Sequence, residues 1–283
     1  MKSGKKIEFA PYCYLVPSML IFAVFLFYPF FKTIYLSLFM TNKMGQAKLF
    51  VGLQNYIDLL NSKSFQNSLK VTVVFVLIVV VGGMLLGLVA AVLCNKAFPG
   101  IRVFSTAYAL PMAIASSSAA MIFQIMLHPT VGIVNKLLGL DINWLNDPRT
   151  ALYCVAILTA WLNSGINFLY FSAGLGNIDE TIYERASVDG ASGVQQFFHL
   201  TLPGLSVYTF INAWNMYMWP LLVTGSNNMR TVQIGISMLD SIDSQSITLM
   251  IAGVVMIIIP SISIFIVGQK QLIRGMFSGA VKG

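Results

Sequence analysis

Apolar residues run along the chain in long blocks that short polar segments separate. A helix that crosses a bilayer needs roughly 20 mostly apolar residues. Six blocks reach about that length, at about residues 14–39, 71–93, 103–127, 151–175, 205–224 and 247–268. The pattern therefore predicts an all-α integral membrane fold with about six transmembrane helices.

Composition supports the same fold class and excludes two others. Of the 283 residues, 57% are hydrophobic and 10% are charged, whereas a soluble domain has about 25% charged residues. A disordered chain is excluded because such chains are poor in aliphatic and aromatic residues. The longest polar gaps, about residues 40–69 and 128–150, are too short for a soluble domain. We expect a single transmembrane domain over residues 14–268, with its core from about residue 66, and tails over residues 1–13 and 269–283.

The basic residues carry a signal about topology. The formal charge is +7, but the lysines and arginines lie singly between apolar blocks, which does not favour nucleic-acid binding. Lys2, Lys5 and Lys6 precede the first block, and no small-residue cleavage site follows it, so we expect this span to stay uncleaved. Positive charge concentrates on the cytoplasmic side of membrane proteins. With six spans, both termini would then lie in the cytoplasm, and the protein would be a multi-pass component of the inner or plasma membrane.

No pattern for catalysis or metal binding is present in the sequence. The cysteines are three, without a C-x-x-C spacing, and we interpret them as buried thiols. His128 and His199 have no second ligand at metal-binding spacing. The sequence also lacks a phosphate-cradling G-x-x-x-x-G-K-[ST] loop. We therefore expect a non-catalytic chain that itself binds no metal, nucleotide or other cofactor.

The loop between the fourth and fifth blocks, residues 177–203, differs from every other loop. Thr181 and Glu184 form a capping box that starts a helix, and Gly190 follows an aspartate in a turn. A second short helix follows and ends at Pro203. The product is a helix–turn–helix on the cytoplasmic face. It would either rest on the lipid headgroups or dock a soluble partner.

This loop resembles one in a known family. Glu184, Ala186, Gly190, Leu202 and Pro203 fall on the E-A-A-x₃-G-x₉-I-x-L-P pattern of the permease subunits of binding-protein-dependent ABC importers. Every interval matches, although an arginine replaces the second alanine and a leucine replaces the isoleucine. The resemblance implies that the first helix of the loop docks in a cleft of an ATPase subunit. That partner, and not this chain, would bind ATP and magnesium.

The resemblance covers the whole chain in two parts. Residues from about 11 to 206 look like the first permease subunit of sugar importers of the maltose and glycerol-phosphate type. The remainder looks like the second permease subunit of the same systems. The junction falls in the fifth block, whose roughly 20 residues rise about 30 Å and barely make a span. The resemblance implies four kinds of partner: a second permease subunit, two ATPase subunits, an extracellular solute-binding protein and membrane lipid.

Polar residues inside the membrane are costly and by default mark a pathway. Two sets share a helix face by their spacing, namely Asn163, Asn167 and Tyr170 in the fourth block and Asn212, Asn215 and Trp219 in the fifth. Amides exchange hydrogen bonds with hydroxyls, and aromatic rings stack on the apolar face of a sugar. The alternative for each asparagine is a hydrogen bond between packed helices. Ser116, Ser117 and Ser118, beside alanines, are more typical of close helix packing.

These observations lead to one prediction and leave two alternatives. The chain is expected to be the permease subunit of an ATP-driven importer that moves a sugar or oligosaccharide. A secondary transporter is disfavoured because such proteins usually carry an acidic residue at mid-membrane, and no block has one there. A composite subunit that assembles without transporting is the other alternative.

Overall fold

The structure is a computed structural model, and it describes residues 10–94, 98–177, 202–225, 229–241 and 244–277. These residues are mainly helical. The helices, in chain order, are α1 (Ala10–Phe22), α2 (Tyr28–Leu36), α3 (Gln54–Asn61), α4 (Lys63–Cys94), α5 (Ile101–Ala109), α6 (Ser116–Met126), α7 (Ile133–Leu138), α8 (Ala151–Asn177), α9 (Leu202–Trp214), α10 (Met218–Val223), α11 (Val232–Ser237) and α12 (Ser244–Phe277). Short 3₁₀ turns cover Leu110–Ala113 and Met238–Ser241.

These elements are grouped into two compact units. One unit holds the described residues up to Asn61 together with residues 238–256. The other holds residues 62–237 and the described residues from Ile257 onward.

The first unit begins with one long helical stretch, α1 to α2, interrupted by a π-helix over Ala23–Phe27. The backbone N–H of Tyr28 donates to the carbonyl of Ala23, five residues back. Pro29 follows directly, and because proline has no N–H and crowds the preceding turn, a widened turn accommodates it. The stretch Tyr14–Leu36 is long and apolar enough to span a bilayer.

A β-hairpin follows this helical stretch in the same unit. Strand β1 (Phe39–Thr41) pairs antiparallel with strand β2 (Ala47–Phe50). The turn places Gly45 at a φ of +70°, a conformation that glycine adopts without a steric penalty. The buried Thr41 then bonds the Thr248 hydroxyl through both its N–H and its hydroxyl, each at 3.0 Å. This ties the hairpin to α12 within the unit.

The second unit is built on the pair of helices α4 and α8, which make its most extensive contact. Gly83 and Gly87, one turn apart on α4, let the two backbones approach. A Cβ at Gly87 would lie 2.6 Å from the Cβ of Asn167 and 2.8 Å from the backbone nitrogen of Phe168. Small residues at such spacing are the usual means of packing helices in membranes, where water-driven burial is absent.

The predicted third span is divided in the structure. Helix α5 with its 3₁₀ extension and helix α6 meet at an angle of 98°. The backbone of Ile114 and Ala115 is extended between them. Pro111 explains part of the break because it cannot donate a helical hydrogen bond. The expectation of one continuous helix over residues 103–127 was therefore wrong.

The predicted fifth span is divided as well. Helix α9 ends at Trp214, and α10 begins at Met218 after three residues outside any helix. Pro220 falls in the first turn of α10, where its missing N–H has no helical partner to lose. The sequence predicted one helix barely long enough to span the bilayer, whereas the structure has two short helices here.

Four helical stretches in the described part of the chain are long and apolar enough to cross a membrane. They are Tyr14–Leu36, Lys63–Cys94, Ala151–Ser172 and Ile247–Gln269, and the bent pair would make a fifth. The helical membrane fold is confirmed, with one short β-hairpin that was not predicted, whereas the count of six spans is not confirmed.

Candidate functional site

A cavity of about 290 Å³ lies within the second unit, where both helix interruptions meet α8. Its polar lining comes from five side chains, Ser116, Thr159, Asn163, Tyr208 and Trp219. Its apolar lining comes from Pro111, Met112, Ile114, Leu162, Ile166 and Met216. The volume is close to the lower end of the range of about 300–1,000 Å³ typical of small-molecule sites.

The two helix interruptions give the cavity its walls. Ile114 lies in the extended segment before α6, and Met216 lies between α9 and α10. Non-helical backbone at membrane depth is tolerated where it is buried in protein or lines a cavity. Helix α6 also begins here, and its N-cap residue, Ala115, supplies no side-chain cap for the first N–H groups. The start of α6 therefore leaves backbone N–H groups without a side-chain cap beside the cavity.

Helix α8 presents one face to the cavity. Thr159, Asn163 and Ile166 are spaced at i, i+4 and i+7, so they lie on one side of the helix. The side-chain amide of Asn163 is half-buried and has no hydrogen-bond partner among the residues that the structure describes. An amide offers two donors and an acceptor. Asn163 is therefore available to a polar ligand in the cavity.

Trp219 forms a fixed wall of the same cavity. Its indole Nε1–H donates to the Thr159 hydroxyl at 2.7 Å, and only 2% of the residue is exposed. The ring also meets Phe123 edge-on, with centroids 5.9 Å apart. A buried tryptophan whose N–H is hydrogen-bonded keeps one orientation. The part of the cavity wall that Trp219 forms is therefore fixed before any ligand binds.

We predict that Thr159→Val destabilises the protein by leaving the Trp219 N–H without an acceptor. Such an unsatisfied buried donor costs about 1–3 kcal/mol, which a fall in melting temperature in detergent or nanodiscs would record. Thr106→Val is the matched control, since Thr106 is exposed and bonds only the carbonyl of Arg102 in its own helix. Equal melting temperatures for the two variants would contradict the role given to the Trp219 bond.

The other residues predicted on α8 lie away from the cavity. Asn167 is fully buried against α4, and its Oδ1 accepts a hydrogen bond from Thr209 at 3.0 Å. Its Nδ2 has no partner in the described part of the chain. Tyr170 is exposed over 42% of its surface and packs edge-on against the cavity residue Tyr208. The spacing that suggested one shared polar face therefore brings only Asn163 to the cavity.

The predicted set on the fifth span is also separated. Asn212 and Asn215 are exposed, and each donates through Nδ2 to a carbonyl four residues back in α9. The Oδ1 of Asn215 lies 3.5 Å from both Gln233 Nε2 and Ser261 Oγ. Trp219 alone of the three lines the cavity, because the break after Trp214 ends the helical register on which the prediction relied.

The predicted ATPase-docking residues lie largely outside the described structure. Glu184, Ala186 and Gly190 fall outside the described residues. Leu202 and Pro203 are the first two residues of α9, a position that suits proline. The docking assignment therefore stays a prediction.

Three of the five polar cavity residues were not predicted as site residues from the sequence. Thr159 lies one helical turn before Asn163, so the same spacing argument would have found it. Ser116 was interpreted as a packing residue, but it begins α6 at the break. Tyr208 gave no sequence signal, because its place depends on how α9 packs. Among the described residues, no group of three His, Cys, Asp or Glu side chains could hold a metal ion.

Comparisons with known proteins agree with this architecture. The chain is 33% identical over 233 residues to the probable ABC transporter permease protein YurN of Bacillus subtilis, covering 76% of this chain and 78% of that protein. It is 33% identical over 203 residues to the sn-glycerol-3-phosphate transport system permease protein UgpA of Agrobacterium fabrum, covering 71% and 69%.

Solved structures show the same fold. A chain of a bacterial ABC transporter involved in the import of the acidic polysaccharide alginate superposes with a TM-score of 0.67 at 19% identity, over 97% of this chain and 96% of that one. The alginate ABC transporter in complex with its alginate pentasaccharide-bound periplasmic protein gives a TM-score of 0.64 at 20% identity, over 95% and 92%.

A family profile covers most of the chain, including the cavity and both helix interruptions from Ile101 to Val223. It is described as the binding-protein-dependent transport system inner membrane component, and it matches residues 83–274. The chain therefore belongs to this family of membrane permease components of binding-protein-dependent ABC transport systems.

Proposed function

We propose that the chain is the permease subunit that carries a sugar, as a single unit or an oligosaccharide, through an ATP-driven importer. The observation that supports this most is the cavity between the two helix interruptions, with Asn163 and Trp219 in its wall. An amide without a hydrogen-bond partner among the described residues suits a sugar, since it can bond the hydroxyls. The buried indole of Trp219 holds the wall beside this amide in place.

The relatives support a sugar-like substrate by their names. One is a permease for sn-glycerol-3-phosphate, and the fold neighbours belong to an importer of a polysaccharide. Both are rich in hydroxyl groups, which the polar side chains of the cavity could bind. The cavity volume of about 290 Å³ fits one small sugar unit at a time.

The remaining parts of the importer follow from the family. A second permease subunit would complete the transmembrane path, and a solute-binding protein would deliver the sugar from outside. Two ATPase subunits, which bind ATP and magnesium, would dock on the loop at residues 177–203. Closure of the ATPase pair would pull this loop and switch the cavity from inward-facing to outward-facing. This arrangement requires both termini and the loop to face the cytoplasm.

Reconstitution of the complete transporter tests the proposal. The chain, its second permease subunit, the ATPase and the binding protein are placed in proteoliposomes, and uptake of a radiolabelled sugar is measured with and without ATP. We expect uptake only with ATP inside and binding protein outside. Uptake driven by an ion gradient without ATP would instead support a secondary transporter.

Gly190→Arg tests the predicted docking loop separately. A large cation at the predicted turn would prevent the loop from seating, so we expect the variant to lose both ATPase co-purification and ATP-dependent uptake. Ser64→Arg adds the same charge at an exposed position far from the loop in sequence and is the control. If the parent chain itself captured no ATPase, it would be a subunit that does not transport. If Gly190→Arg captured as much ATPase as the parent, the docking assignment would be wrong.

A further inference from the structure

In the first unit, the long helical stretch is followed by the β-hairpin and helix α3, over residues 39–61, which we call the hairpin–helix segment. Three hydrogen bonds tie its helix α3 to the end of that stretch and to the first residue of the hairpin. The Nδ2 of Asn55 donates to the carbonyls of Ser37 and Phe39, at 2.7 and 3.1 Å. The Tyr56 hydroxyl also bonds the Ser37 hydroxyl. Because Ser37 directly follows the last residue of the spanning helix, α3 is held at the level where that span leaves the bilayer.

Helix α3 has three distinct faces. Asn55 and Leu59 are buried against the rest of the unit. Gln54 and Asp58 are exposed and bond each other at 2.7 Å, so this face suits water. The third face begins at Leu53, the residue before the helix, and continues one turn later at Ile57. These two residues are exposed over 65% and 49% of their surfaces.

The hairpin carries further exposed apolar residues, and because they are neighbours on one strand their side chains point to opposite sides of it. Leu49 and Phe50 of β2 are exposed over 61% and 63% of their surfaces. The neighbouring span, Tyr14–Leu36, has an apolar window of which none is buried within the structure. The exposed apolar residues of the segment therefore follow, along the chain, a long apolar helical stretch that is exposed as well.

The charges of the segment favour lipid as the occupant of this face. Lys43 and Lys48 are exposed on the hairpin, and Asp58 is the only acidic residue of the segment. Basic side chains beside exposed apolar residues are the pattern of segments that lie in the interface of anionic bilayers. A lysine can place its ammonium group at the lipid phosphates while its methylene chain lies along the apolar region below them.

We propose that the hairpin–helix segment is an interfacial anchor, with Leu53 and Ile57 inserted at the boundary between the headgroups and the acyl chains. The anchor fixes the outer end of the first span at a constant depth. It is independent of the proposed transport substrate, since it lies in a different unit from the cavity.

Site-directed spin labelling of the full chain tests the anchor. The three native cysteines are replaced by serine, and single cysteines are introduced as Ile57→Cys and Asp58→Cys. The labelled chains are placed in nanodiscs of phosphatidylethanolamine and phosphatidylglycerol. Collision rates with oxygen, which concentrates in lipid, and with a water-soluble nickel chelate are then measured. We expect the oxygen-to-nickel ratio to be at least about threefold higher at position 57 than at position 58.

The two positions are adjacent on one short helix, so they differ only in the face they occupy. Equal nickel accessibility at both would overturn the anchor. Shielding of position 57 from both reagents would also overturn it, because a protein surface, from a second permease subunit or a second copy, would then cover the face. If either variant failed to fold, Leu53→Cys and Gln54→Cys provide a second pair on the same two faces.

Discussion

Asn163→Ala is expected to lower the kcat/KM of sugar uptake by about 10- to 100-fold, since an amide that makes two hydrogen bonds of about 1 kcal/mol each would be lost. The melting temperature should change little, because the amide bonds no described residue and the side chain is only half-buried. Transport by the reconstituted complex and thermal unfolding of the same preparation measure the two quantities.

Asn167→Ala is the matched control, since it truncates the same side chain one helical turn away. Asn167 is fully buried and accepts a hydrogen bond from Thr209. Its removal leaves a void and costs about 1–2 kcal/mol of stability. The KM for the sugar should stay within about threefold of the parent's value, because Asn167 does not line the cavity and a changed KM reports altered contacts with the substrate. Loss of uptake in Asn167→Ala with an unchanged kcat/KM in Asn163→Ala would show that the cavity is not the substrate site.

Gly87→Ala is expected to have the largest effect on folding. The added Cβ would lie 2.6 Å from the Cβ of Asn167 and 2.9 Å from its backbone carbonyl carbon, so α4 and α8 would have to separate. Overpacking of this kind costs about 3 kcal/mol at the upper end of its usual range. The gain of about 1 kcal/mol in helix propensity does not offset it. A fall in melting temperature and in the yield of monodisperse protein would record the effect.

Gly82→Ala provides the comparison on the same helix. Its Cβ would meet only the side-chain Cβ of Ala160, at 3.2 Å, which a small shift relieves. The same propensity gain applies, so we expect a melting temperature close to that of the parent. If Gly87→Ala unfolded at the same temperature as Gly82→Ala, the two helix backbones would not be in the close contact described for α4 and α8.

The pair of asparagines on α8 illustrates how far helical spacing can be trusted. Spacing placed Asn163, Asn167 and Tyr170 on one side of the helix, and that is where they lie. One side of a helix is wide, however, and different neighbouring segments can cover different residues on it. Gly83 and Gly87 bring α4 against Asn167, whereas the break before α6 leaves space beside Asn163. Both features depend on packing partners more than 40 residues away in the sequence.

The fifth span shows a different limit. Asn212, Asn215 and Trp219 share a face only if one helix continues through all three positions. The chain leaves the helix after Trp214, whose indole N–H instead donates to the carbonyl of Ile257 at 2.9 Å. The length of this segment indicated that it could barely span the bilayer, but the sequence did not show where the helix would break.

The amino-acid sequence was sufficient for those features that depend on local composition and on recognisable motifs. Long apolar blocks can only be satisfied in lipid as helices, because every backbone group must be bonded within the segment, so the membrane fold could be predicted directly. The motif after the fourth block indicated the family, which the comparisons confirmed. Two of the side chains that line the cavity, Asn163 and Trp219, were also predicted. The tertiary structure alone decided which polar residues meet, since the cavity forms where two helix interruptions face α8. Pro111 and Pro220 mark the neighbourhood of the two interruptions in the sequence. The side chains that meet there come from segments more than 40 residues apart, and no local pattern records contacts between such distant segments.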